Sequence, residues 1–123
     1  MIFGIGIDLI EIQRIKNVME RNETAFTHKI LTETELKKMP QGDKRRAEYL
    51  AGRFAGKEAV AKAYGTGIGK ELGWRDIEID TLPTGQPIVK LRRNCLLNQA
   101  ARIHISISHS DTMAIAKVII EQM

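Results

Sequence analysis

Glu58 and Lys62 close a row that starts with Leu50 and Phe54, each four residues from the next. On a helix such a row shares one face, so a carboxylate and an ammonium follow directly on two apolar groups. Two readings are open. Glu–Lys pairs at this spacing are commonly solvent-facing and contribute little. A carboxylate leaving a core, in contrast, needs a partner or a metal ion. Asp8 follows the apolar residues 2–7 and offers a second carboxylate. It can cap a helix beginning near Glu11, or it can converge with Glu58. Two carboxylates with open coordination positions suit Mg2+, which takes one or two protein carboxylates plus phosphate oxygens and water.

Basic residues give a second pattern. Lys44, Arg45 and Arg46 stand where a helix opens, with Arg53 further along. Cations there oppose the helix dipole, yet a helix start with added cations is a good phosphate site. Arg14, Asn17 and Arg21 share a face beside Lys16. That face is either solvated or a docking surface for an acidic partner. Other apparent motifs are weak. Gly65-Thr66-Gly67-Ile68-Gly69-Lys70 resembles a phosphate loop, but Tyr64 and Glu71 break the Walker pattern and the loop ends a helix instead of opening one. Its backbone N–H groups could still touch a diphosphate, while Gly65 suits a helix C-cap. Ser108-His109-Ser110-Asp111 contains triad residue types at spacings that rarely give triad geometry. His104 and His109 lack a third nearby zinc ligand, and Cys95 reads as a packed side chain.

The elements that must position these groups are legible in outline. Residues 2–7 read as a strand closed by Asp8. Ile12, Ile15, Val18 and Met19 recur at helical spacing, and a short helix is expected at 25–31. Thr32 and Glu35 have capping-box spacing. Asp43 can cap the longest helix, expected at 44–64 and ended by Gly65. Strands are expected at 76–82 and 88–91 around the Pro83–Pro87 turn, then at 103–108 and 113–120, with a short helix at 94–101. Helices and antiparallel strands segregate, so the expected fold is α+β: one domain over 1–123, a small antiparallel sheet packed with one long helix and several short ones. The last strand is too apolar for an exposed face, and a second copy of the chain would cover it.

Composition narrows the partners. The chain is 43% apolar and 28% charged, with net charge +4. The charge suits an anionic partner such as a phosphate ester or acidic protein. With three Phe, two Tyr and one Trp not interleaved with basic residues, a nucleic-acid platform is poorly supported. No apolar run is long enough for a bilayer, no signal peptide is evident, and the single cysteine favours a reducing compartment; a cytoplasmic, membrane-free protein is expected.

Gly4-Ile5-Gly6-Ile7-Asp8-Leu9-Ile10-Glu11 with Arg14-Ile15, and Leu50-Ala51-Gly52-Arg53-Phe54-Ala55-Gly56-Lys57-Glu58-Ala59 followed by Lys62-Ala63 and the Gly65–Gly69 loop, resemble the holo-acyl-carrier-protein synthases of the 4'-phosphopantetheinyl transferase family. Asp76-Ile77-Glu78-Ile79, Gly85-Gln86-Pro87 and Ile105-Ser106-Ile107-Ser108-His109 match later blocks of that family in order. Gln86 replaces a usual lysine, and Gly56 a usual alanine. The resemblance implies a small α+β fold in a homotrimer with active sites between subunits. It implies transfer of 4'-phosphopantetheine from coenzyme A to a serine of apo acyl carrier protein in fatty acid biosynthesis, releasing adenosine 3',5'-bisphosphate. It implies Mg2+ on Asp8 and Glu58 and a diphosphate contact for Lys62, with Gly65, Thr66 and Gly67 lining that group. Pro87 joins the coenzyme A contacts; Lys44, Arg53 and His109 would lie near the adenosine 3'-phosphate. Arg14, Arg21 and Arg45 would face the carrier protein. Asp8 or Glu58, through a water, would take the serine proton; the choice between them is open. A non-catalytic binding module for nucleic acid or an acidic protein and a nucleotide hydrolase are the rival readings. The first gives no reason for Glu58 and Lys62 to extend an apolar row, and the second is weakened by the broken Walker pattern and the lack of a clear water-activating set.

Overall fold

A computed structural model describes residues 1–92 and 101–122. The element order is β1 (Ile2–Glu11), α1 (Ile12–Ile30), α2 (Glu33–Lys38), α3 (Asp43–Tyr64), a 3-10 turn (Trp74–Asp76), β2 (Ile77–Thr81), β3 (Pro87–Leu91), β4 (Ala101–His109) and β5 (Met113–Gln122). β1, β5 and β4 form an antiparallel sheet in that order, and β2 and β3 form a separate hairpin. The expected short helix at 94–101 and Cys95 lie outside the described residues, apart from Ala101, which begins β4.

Strand alternation gives the three-stranded sheet two unlike faces. Ile103, Ile105 and Ile107 of β4 pair with Ile120, Val118 and Ala116 of β5. Gly4, Gly6, Asp8 and Ile10 of β1 stand opposite Ile120, Val118, Ala116 and Ala114. That face carries α3. Ala47, Ala51, Ala55, Ala59 and Ala63 recur every fourth residue on α3 and are buried. The small stripe lets the strand approach the helix closely. A Cβ on Gly4 would lie 1.9 Å from the carbonyl oxygen of Ala63, and one on Gly6 1.9 Å from that of Ala59. Only glycine fits at either position. Gly56 packs the same helix against the hairpin: a Cβ there would meet Ile79 Cδ1 at 2.5 Å.

Two expectations about β1 are corrected. Asp8 does not close the strand, because β5 supplies backbone partners through the Glu11–Met113 pair. Asp8 is also no helix cap. Glu11 holds the N-cap position without a side-chain bond, and the Ile12 N–H instead donates to the Thr112 carbonyl at 2.9 Å. The two helices expected between residues 12 and 31 are one element broken at Asn22, whose φ of −165° and ψ of 86° are extended. Asn22 Oδ1 accepts from the Ala25 N–H at 3.0 Å and so caps the second segment. Thr32 and Glu35 form the expected capping box. Gly42, not Asp43, is the N-cap of α3, and Gly65 ends it in the left-handed region at φ 86°.

Candidate active site

Glycine packing of β1 on α3 determines where Asp8 goes. Asp8 follows Gly4 and Gly6 on the helix-facing side, so its side chain stands beside α3. Along the row, Leu50 is buried, Phe54 and Glu58 are half-buried and Lys62 is exposed. The apolar-to-charged gradient read in the sequence is therefore real. Lys62 Nζ donates to Asp8 Oδ1 at 2.9 Å and to the Ile7 carbonyl at 3.1 Å. Burial raises the Glu58 carboxyl above its ordinary value, the Asp8 charge raises it further, and Lys62 pulls it down. Asp8, Glu58 and Lys62 thus form one cluster of net charge −1.

That raised carboxyl has a stability consequence. The folded state holds the Glu58 proton more tightly than the unfolded chain, so stability falls as pH rises from the unfolded value near 4.5 towards the raised folded value. Glu58→Gln removes this penalty. We expect the metal-free variant to melt higher than the parent at pH 7 and to lose the advantage at pH 4, as read by thermal denaturation.

The cluster fits a magnesium ion by its donor chemistry. Two oxygen-donor carboxylates repel one another on the sheet-facing side of α3, and Mg2+ requires no more protein ligands than these. Among the described residues no group of three or more His, Cys, Asp and Glu side chains stands ready for a metal. That leaves a two-carboxylate site whose remaining positions go to water or phosphate.

The other expected coenzyme A contacts are spread along and around α3. Arg53 Nη2 donates to Thr81 Oγ1 at 3.1 Å, and Thr81 pairs with Pro87 across the hairpin. His109 Nδ1 lies 3.7 Å from Glu48 Oε2, one helical turn from Lys44. Arg53 and Pro87 therefore stand at the hairpin, His109 stands beside Glu48, and Lys44 faces α1, about 180° around α3 from Arg53. They are not with Asp8 and Glu58: Lys44 is about 21 Å from Glu58 along the helix axis, and Arg53 is rotated about 140° from Glu58 around it. Two clefts of about 450 and 500 Å³ open on the surface, one between α2 and the hairpin and one, lined by Lys44, between α1 and the start of α3. Neither is lined by Asp8 or Glu58, and the carboxylate pair is the better guide to chemistry.

Some readings of single residues change. The N–H groups of Gly65, Thr66 and Gly67 turn back onto the Lys62 and Ala61 carbonyls at 2.9, 3.2 and 3.2 Å. Those amides complete the helix C-cap and are not offered to a diphosphate; the loop can line one but not cradle it. Arg46 is ion-paired with Glu23 and also reaches the Pro40 carbonyl, so only Lys44 and Arg45 remain exposed of the basic trio. Arg14 and Arg21 are exposed on α1, two turns apart on one face.

The sequence reading missed Lys57 as a partner of Glu35. Lys57 Nζ is fully buried and donates to Glu35 Oε1 at 2.6 Å, to the Ile30 carbonyl at 2.5 Å and to the Trp74 carbonyl at 3.0 Å. Glu35 also accepts from the N–H groups of Thr32 at 2.8 Å and Ile79 at 2.7 Å. Burial holds the Lys57 ammonium below its ordinary value, while Glu35 pulls it back up. The available signal was position: Lys57 lies two turns from the buried Leu50, on the same side of α3.

A family profile described as the 4'-phosphopantetheinyl transferase superfamily matches residues 4–119. The chain belongs to this superfamily. Within it, the protein is 48% identical over 124 residues to the holo-[acyl-carrier-protein] synthase of Bacillus velezensis, covering 100% of this chain and 98% of that protein. It is 51% identical over 125 residues to the synthase of a Geobacillus species, covering 100% and 99%. A Bacillus anthracis holo-(acyl-carrier-protein) synthase in complex with CoA (3',5'-ADP) superposes with TM-score 0.87 at 43% identity, covering 100% of this chain and 99% of that one. The Neisseria meningitidis synthase gives 0.88 at 36%, covering 99% and 100%. The α+β transferase fold expected from the sequence is the one found.

Proposed function

We propose that the protein transfers 4'-phosphopantetheine from coenzyme A to a serine of apo acyl carrier protein, as a holo-acyl-carrier-protein synthase serving fatty acid biosynthesis. The convergence of Asp8, Glu58 and Lys62 on the sheet-facing side of α3 carries this reading. In the reaction the serine Oγ forms a bond to the phosphorus bearing pantetheine. The bond from that phosphorus to the bridging diphosphate oxygen breaks, and adenosine 3',5'-bisphosphate leaves. The transferred group and the leaving group both carry negative charge, which the site must balance. Asp8 and Glu58 are the residues that would hold Mg2+, which supplies Lewis-acid charge neutralisation to the diphosphate when bound. Lys62 sets its ammonium beside Asp8, where it adds a positive charge to a diphosphate oxygen. Asp8 or Glu58 accepts the serine proton through a water. Incubation with coenzyme A, Mg2+ and an apo carrier protein should add one phosphopantetheine mass to the carrier. No mass gain, with retention on nucleic acid or on an unmodified acidic protein instead, would sink the reading.

Trimeric assembly is part of the proposal. The sheet face turned away from α3 exposes Ile5 at 60%, Ile7 at 53%, Leu9 at 60% and Ile115 at 37%. A contiguous apolar face of this kind calls for a cover. A site between protomers also accounts for the scatter of Lys44, Arg53, Pro87 and His109, because a neighbouring protomer can bring some of them to the carboxylate cluster. Ile7→Lys, central in the face, should convert a species of three chain masses to monomer in sedimentation equilibrium and abolish transfer. A wild-type monomer with full activity would refute the assembly.

Arg14, Arg21 and Arg45 form the docking charge for the acidic carrier. Arg14→Glu should weaken carrier binding about tenfold at low salt, less at high salt, with coenzyme A affinity unchanged. Equal loss for both substrates would place Arg14 in the active site instead.

A further inference from the structure

Arg53 is held in an unusually complete setting for a partly exposed arginine. Its guanidinium carbon lies 4.1 Å from the centroid of the Tyr49 ring. Nη2 reaches Thr81 Oγ1, and Nε is buried with no hydrogen-bond partner. The ring beneath it is itself fixed. The Tyr49 hydroxyl donates to the Glu35 carbonyl oxygen at 2.7 Å, and Glu35 is anchored by Lys57 and by the N–H groups of Thr32 and Ile79. A rigid line therefore runs from the buried ion pair through Tyr49 to the guanidinium. Stacking uses only the face of a guanidinium and leaves its in-plane N–H groups for oxygen acceptors. An arginine side chain free to sample many rotamers would lose that freedom on meeting a phosphate; one already laid on a ring has little left to lose.

We propose that Tyr49 is the positioning residue for Arg53, and that it orients the guanidinium towards the terminal phosphate monoester of coenzyme A. Preference for coenzyme A over 3'-dephospho-coenzyme A then passes through a residue that never touches the ligand. The inference rests on the reading above that Arg53 meets the 3'-phosphate.

Calorimetric titration of the intact protein with both ligands tests it. Tyr49→Met and Tyr49→Leu should each weaken coenzyme A binding about tenfold and leave 3'-dephospho-coenzyme A within about twofold. Tyr49→Phe keeps the ring and should retain the preference to within about threefold. Arg53→Leu separates the two claims. If it leaves the preference intact, Arg53 is not at the 3'-phosphate, and both the placement and the Tyr49 role fall. If it erases the preference while the Met and Leu variants at Tyr49 keep it, the placement stands and the Tyr49 role is overturned. Equal weakening of both ligands by the Tyr49 variants also overturns it, as a packing effect alone.

Discussion

Glu58→Gln is expected to lower turnover by about 10³-fold, with the melting temperature unchanged or raised. The amide keeps the shape of the side chain and removes the charge that pairs with Asp8 around a cation. Asp8→Asn should do the same, though Lys62 then loses its ion-pair partner. The double variant is the sharper result. Two ligands of one ion act as a unit, so removing both should cost little more than removing either. Effects that multiply towards 10⁶ would mean that the two carboxylates work independently. Steady-state assays over a range of Mg2+ concentrations should also show that either single variant requires far more Mg2+, or no longer responds to it. A Glu58→Gln enzyme with full turnover and full Mg2+ dependence would remove Glu58 from the metal site.

Lys57→Met is expected to be the most damaging single substitution for stability, at about 3–5 kcal/mol. The Glu35 carboxylate would remain buried without its cation. The Ile30 and Trp74 carbonyls would also lose a donor. Replacing a buried ion pair by apolar residues is often harmless when the pair serves only itself. Here it does not: Glu35 accepts two backbone N–H groups and Lys57 satisfies two backbone carbonyls, tying α1, α2, the 3-10 turn and β2 to α3. A double Lys57→Met/Glu35→Leu variant should therefore stay well below the parent, because four backbone groups are left unpaired. Chemical denaturation of the singles and the double measures this directly; a double variant as stable as the parent would contradict it.

Legibility in the sequence followed the range of the interactions. The row from Leu50 to Lys62 was readable because helical periodicity is local and α3 has no breaker until Gly65. The capping box at Thr32 and the stop at Gly65 were readable for the same reason. The length of β1 was not, because its end is decided by β5, more than a hundred residues later, which keeps pairing past Asp8. The Lys57–Glu35 pair was half visible: Glu35 was read as a cap, which it is, but its second partner lies 22 residues away on another helix. Arg46 looked like part of a phosphate patch until the bend at Asn22 brought Glu23 to it. The amides of Gly65–Gly67 looked free because glycine spacing says nothing about which carbonyls they find. The carboxylate pair itself was anticipated by residue type, and its convergence depended on Gly4 and Gly6, whose missing side chains let β1 lie against α3.

The most direct test of the carboxylate account is a crystal structure of the protein with Mn2+ and coenzyme A, read by anomalous scattering. The account predicts a single peak within about 2.5 Å of one oxygen each from Asp8, Glu58 and the diphosphate. A peak held by only one of these carboxylates, or a bound diphosphate remote from both, would contradict it.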